Sequence, residues 1–140
     1  MFNRTRGGLR GASAMEFALT FPVFILLVGG MIDFGWYFYH QASLDSAVHM
    51  GCRRGVTQDP GLALVDLADV ETEAAVSLVA ALNANGLSCG TGCVVSVGHV
   101  GAKPSLTMTC SATLPYTPLM GMAPTGKVAS KTSMRFEFQR

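Results

Sequence analysis

Glu16 is the first residue whose chemistry demands a partner. It heads sixteen residues, 17–32, that carry no charge, and Asp33 closes that run. A carboxylate at membrane depth costs on the order of 3 kcal/mol, so it marks a pairing site by default. The second reactive group is the thiols Cys52, Cys89, Cys93 and Cys110, which could form disulfides, clip a metal or cycle as a redox pair. A spacing of three between Cys89 and Cys93 is not the C-x-x-C of a redox centre, and it fits a tight zinc clip poorly. His40 and His49 are nine apart and fall on opposite sides of a helix, and His99 stands alone, so no metal site is expected. Asp45 and His49, four apart, read as a helix-surface pair rather than a catalytic dyad. There is no phosphate loop and no G-x-S-x-G. The available chemistry is ion pairing and cross-linking. The expectation is a protein that is not an enzyme and needs no cofactor.

The elements that must position these groups begin with a membrane helix. Of 140 residues, 49% are hydrophobic and only 14% charged, where a soluble domain has about 25%. That composition argues against disorder and for a part that lives in lipid. Ten basic against nine acidic residues leave no positive field for nucleic acid. The run 17–32 spans about 24 Å as a helix, short of the roughly 30 Å hydrocarbon core. Extension past Asp33 through Phe34, Trp36, Tyr37, Phe38 and Tyr39 supplies the rest, with Trp36, Tyr37 and Tyr39 as an aromatic belt. The span is therefore expected over 12–40. Arg4, Arg6 and Arg10 would stay cytoplasmic and residues 41–140 would be exported from the inner membrane. A cleaved secretory signal fits less well, because no A-x-A box follows the apolar run.

Gly11, four residues, then Glu16-Phe17 and an apolar run resembles the class III signal of type IV pilins. The likeness extends through Gly11-Ala12-Ser13-Ala14-Met15-Glu16-Phe17-Ala18, Pro22, Asp33-Phe34-Gly35, Gln41, Ala47 and Gly51-Cys52-Arg53. This block resembles the N-terminus of TadE/TadG-like proteins, pseudopilins of the tight-adherence (Tad, or Flp) pilus system. The segment Leu114–Gly121 resembles that family's Pro-aromatic-Thr-Pro-Leu stretch, and Ser133-Met134-Arg135 its closing Met-Arg. Thr20 and Phe21 replace leucine-like residues, and Asp33 replaces the more frequent Glu. Residues 57–100 show no likeness, and the length suits TadE better than the longer TadG.

The resemblance implies a prepilin leader over 1–11, cut after Gly11 by a prepilin peptidase, with Ala12 as the new N-terminus and Glu16 and Phe17 in the recognised signal. It implies assembly roles for Glu16, Pro22 and Asp33, with other pilins, pseudopilins and the Tad machinery as partners. Glu16 could then meet the free amino terminus of a neighbouring subunit within lipid, each group compensating the other's cost. Gly29 and Gly30 would loosen the helix near Pro22. A rival reading is an uncut single-pass anchor whose exported domain binds a ligand or scaffolds an envelope complex. More distant is a small thiol oxidoreductase, which needs a reactive thiol at Cys89 or Cys93.

The first helix should run past the membrane, from about Ala12 to Val56. Asp59-Pro60 reads as the cap and first turn of a second helix that ends at Asn83, with Asn85-Gly86 as its stop. Asp66, Asp69 and Glu73 share one face of it. Leu64, Leu67, Ala74, Ala75, Leu78 and Leu82 share the other. Glu71 falls among the apolar positions. It either snorkels at the edge of a small core or pairs with Arg53 or Arg54. Strands follow: Val94–Val100, then Leu106, Met108, Cys110, Ala112 and Leu114 at a period of two, then Val128 to Phe138 in the same pattern. Gly101-Ala102-Lys103-Pro104 joins the first two. The fold expected is α+β: a long N-terminal transmembrane helix, a second helix and a three-stranded antiparallel sheet, pilin-like in form. Four cysteines in an exported domain allow three connectivities. Cys89–Cys93 with Cys52–Cys110 is the preferred set, and Cys93–Cys110 across the hairpin the alternative.

Overall fold

The structure, a computed structural model, describes residues 8–58, 66–102 and 105–137, with side chains from Ala12 onward. Helix α1 is Gly8–Val56, helix α2 is Leu67–Ala84, and the strands are β1 (Val94–Val100), β2 (Thr107–Tyr116) and β3 (Gly126–Arg135). The sheet is an antiparallel meander in the order β1-β2-β3. This is the α+β arrangement expected from periodicity.

Two sequence patterns divide α1. Up to about Phe38 it is mostly apolar, broken by Glu16 and Asp33, and most of its large side chains, among them Met15, Phe17, Phe34 and Phe38, are exposed. Beyond that it is amphipathic. Leu44, Ala47, Val48, Cys52 and Val56 recur at three- and four-residue steps and are buried. The helix ends where Thr57 N–H and its hydroxyl bond the carbonyls of Arg53 and Arg54. Arg53 and Arg54 sit in the last turn, favourable to the helix dipole. The start differs from expectation. The helix begins at Gly8 rather than Ala12, so the Gly11–Ala12 peptide is itself helical.

Helix α2 lies antiparallel beside the end of α1, close enough that side chains would not fit between them. A Cβ on Gly51 would stand 2.6 Å from Leu78 Cβ and 3.1 Å from the Ala74 carbonyl oxygen, and one on Gly55 would strike Met108. Val70, Ala74, Leu78, Ala81 and Leu82 form the buried face of α2. Its C-terminus is a Schellman turn. Leu87 N–H bonds Leu82 O and Gly86 N–H bonds Asn83 O, with Gly86 at φ +76° and Leu87 buried against the core. Asn85-Gly86 is thus the stop that the sequence indicated. At the other end the described helix begins after Asp66, whose side chain makes no capping bond. The start expected at Asp59-Pro60 lies outside the described residues, as do Leu64, Lys103, Pro104 and Phe138.

Every second residue of β2, from Met108 to Tyr116, is buried, as is Leu106 just ahead of it. Register brings Val97, Cys110 and Thr132 into one row, and His99, Met108 and Met134 into another. Helix α1 covers β2 and β3, and α2 covers β1. Pro115 is tolerated because β1 ends opposite Thr113, so β2 is an edge on that side. The inner face of β2 meets α1 through Cys52–Cys110, both fully buried. That bridge closes 58 residues and, in chain-entropy terms, is worth about 4 kcal/mol. Cys89–Cys93 closes four and is worth about 2 kcal/mol. No cysteine is free.

Candidate functional site

Asp33 is the one fully buried charged side chain among the described residues. It sits on α1 within the exposed apolar stretch, before the amphipathic stretch begins. The loop between β2 and β3, residues 117–125, descends along α1 to reach it. Asp33 Oδ1 accepts the N–H of Met120 at 2.8 Å, and Oδ2 accepts those of Met122 at 2.7 Å and Ala123 at 3.3 Å. The Tyr116 hydroxyl donates to the Asp33 main-chain oxygen at 3.1 Å. A carboxylate that receives several N–H groups is compensated for its burial, and the loop's main chain gains acceptors. Burial pushes the Tyr116 phenol above its ordinary pKa, and the negative charge of Asp33 adds to the rise.

The residues around Asp33 make room for this loop. Gly29, one turn below, is buried because Met122 lies over it: a Cβ there would come within 2.8 Å of the Met122 thioether. So Gly29 admits a neighbour rather than loosening the helix. Tyr37, one turn above, packs edge to face on Tyr116 at 5.3 Å. Tyr39 donates to the carbonyl of Asn85 at 2.9 Å, and Gln41 to that of Ala129 at 3.1 Å. His40 packs on Trp36 and Tyr116, and its buried Nε2 has no hydrogen-bond partner among the described residues. Two of the three expected belt residues, Tyr37 and Tyr39, therefore bind the head. Trp36 is exposed, beside Phe34 and Phe38. Contacts with the head begin at Gly29, well before the boundary expected after His40.

The other singled-out residues lie elsewhere. Glu16 is exposed on α1, seventeen residues and about 25 Å below Asp33, so the two carboxylates do not form one site. The Thr20 hydroxyl donates to Glu16 O at 2.9 Å, and Phe17 stacks on Phe21. Pro22 lies within the continuous helix, exposed. Gly11 and Ala12 are in its first turns, and nothing of the Gly11 surroundings is described. Glu71 does not pair with Arg53 or Arg54. It meets His99 Nδ1 at 2.6 Å, and Arg54 meets Glu73 at 3.6 Å. The reason is placement. Glu71 turns toward β1, whose inner row carries His99, while the arginines lie nearer the acidic outer face of α2. Asp45 accepts from Gln41 rather than pairing with His49. Among the described residues no three His, Cys, Asp or Glu come together as a metal site.

Sequence reasoning placed Asp33 in the span and left its partners unknown. Those partners are main-chain N–H groups of an apolar loop and leave no side-chain signature. The one available signal was the pair of motifs, Asp33-Phe34-Gly35 and Leu114–Gly121, which the fold brings into contact.

A family model described as TadE-like protein matches residues 11–53. The matched stretch holds Glu16, Pro22, Asp33, Gly51 and Cys52, and stops before α2 and the sheet. No curated protein and no solved structure matches the chain.

Proposed function

We propose that this chain, whose residues 11–53 match the family model of TadE-like proteins, is a minor pseudopilin of a Tad-type pilus, a structural subunit rather than an enzyme. Helix α1 crosses the inner membrane once, with its N-terminus in the cytoplasm and the head of α2 and the sheet outside. A prepilin peptidase cuts after Gly11, and Ala12 becomes the N-terminus. Glu16 then pairs with the amino group of a neighbouring pilin or pseudopilin, and the protein serves assembly of a fibre used in adhesion or secretion. The observation that carries this reading is the lower part of α1. It is a long helix whose apolar side chains are mostly exposed, and Glu16 is its only acid before Asp33. Such a surface requires lipid or like helices, and such an acid requires a partner there.

One observation favours the uncut anchor. The backbone from Gly8 through Ala12 is helical, so cleavage requires that turn to unwind in the peptidase. The intact mass of the protein extracted from membranes, with and without the prepilin peptidase, separates the two readings. Loss of residues 1–11 only when the peptidase is present is the expected result. Full-length mass in both cases overturns the pseudopilin reading and leaves an anchored scaffold.

A further inference from the structure

We infer that the β2–β3 loop is a second membrane-contacting element: Leu119, Met120 and Met122 enter the outer surface of the bilayer that α1 crosses. The inference rests on the reading of α1 as a membrane span. Three observations carry it. The loop tip is apolar and exposed, with Leu119 62% and Met120 56% accessible, and no charge occurs between Lys103 and Lys127. Its depth is fixed by contact. Met122 lies over Gly29, inside the uncharged run, which is four residues or about 6 Å below Asp33 along the helix. The loop therefore lies alongside the apolar part of the span rather than wholly above it.

The third observation concerns the main chain. An irregular loop enters lipid only where its polar groups are satisfied by protein, and Asp33 accepts three of its N–H groups. Lys127 is the first charged residue after the loop. It borders a cleft of about 190 Å³ shared with Phe34, Tyr37 and Tyr116, just above Asp33, where an ammonium can reach headgroup phosphate. The apolar loop is continuous with the apolar surface of α1, so one lipid interface covers both. The head then has two supports on the membrane, the helix and the loop, which restrict its tilt and its rotation about α1.

The test uses the full-length, disulfide-bonded protein in phosphatidylcholine vesicles whose acyl chains are brominated either near the headgroup or near the methyl end. Trp36→Phe removes the native tryptophan, and single tryptophans are then introduced by Leu119→Trp, Phe24→Trp or Val100→Trp. The Leu119→Trp emission is expected to fall by about twofold with bromine near the headgroup, and less with deep bromine, as for an interfacial group. Phe24→Trp reports the span and is quenched by the deep label. Val100→Trp, on β1, is not quenched. Met120→Trp repeats the loop measurement should Leu119→Trp fold poorly. Unquenched loop tryptophans beside a quenched Phe24→Trp overturn the inference and leave the span intact. That is also the result for a loop that packs on a second copy instead of lipid. If Phe24→Trp is unquenched too, the span reading falls with it.

Discussion

The Asp33 carboxylate binds a segment of main chain 87 to 90 residues further along the sequence. This differs from an ion pair, whose net worth in a buried setting is often small. Here the acid accepts three main-chain N–H groups, so removal exposes the cost of each. Asp33→Ala is expected to lower stability by on the order of 2–4 kcal/mol, seen as an earlier midpoint in urea for the detergent-solubilised protein. An unchanged midpoint would mean that water or detergent replaces the carboxylate at no cost. The acid itself was legible as an anomaly of the apolar run, since any carboxylate there asks for a partner. Its partners were not legible, because Met120, Met122 and Ala123 contribute only N–H groups that every residue type shares. Glu71 shows the opposite case. Its place among apolar positions was plain from the helix wheel, and His99 shares the inner face with Val95 and Val97. Reading the strand parity against the helix face would have joined them.

At the scale of elements, hydrophobic period carried most of the information. The alternation from Leu106 to Leu114 put Cys110 on the apolar face of its strand, while Cys52 was placed only near the end of the first helix; the structure shows Cys52 on the buried stripe of α1, joined to Cys110. Helix contact was less visible. Gly51 stood in the resembling block with no packing role assigned, and only the structure shows that α2 approaches it within the space a methyl group needs. Alanine is the better helix former by about 1 kcal/mol, which would favour Gly51→Ala in isolation. The atoms in its way are Leu78 Cβ and Cα and the Ala74 carbonyl, none of them the free end of a flexible side chain. Overlap therefore wins. Gly51→Ala is expected to destabilise the head by about 1–3 kcal/mol, measured as a lower thermal midpoint with unchanged helical circular dichroism at low temperature. A neutral or stabilised variant would show that α2 can slide outward freely.

For the whole molecule, the division between anchor and head does not fall where hydropathy changes. The head takes hold of α1 from Gly29 upward, through Asp33, Tyr37, Tyr39 and Gln41. A head truncated to start at residue 41 should be less stable than one that starts at residue 28, by at least the loss seen for Asp33→Ala. Adding Asp33→Ala to the longer form should carry it toward the shorter. Equal urea midpoints for the two truncations would show that the lower contacts are incidental. The bridge from Cys52 to Cys110 has a consequence of another kind, for a protein under mechanical load. Tension applied between the membrane end of α1 and the C-terminus passes along the helix to Cys52, across the sulfurs to Cys110, and on through β2 and β3. Residues 53–109, which hold all of α2 and β1, lie off that path. A pulled subunit would therefore yield first at the β2–β3 pairing, while the ring of chain behind the bridge stays slack and folded.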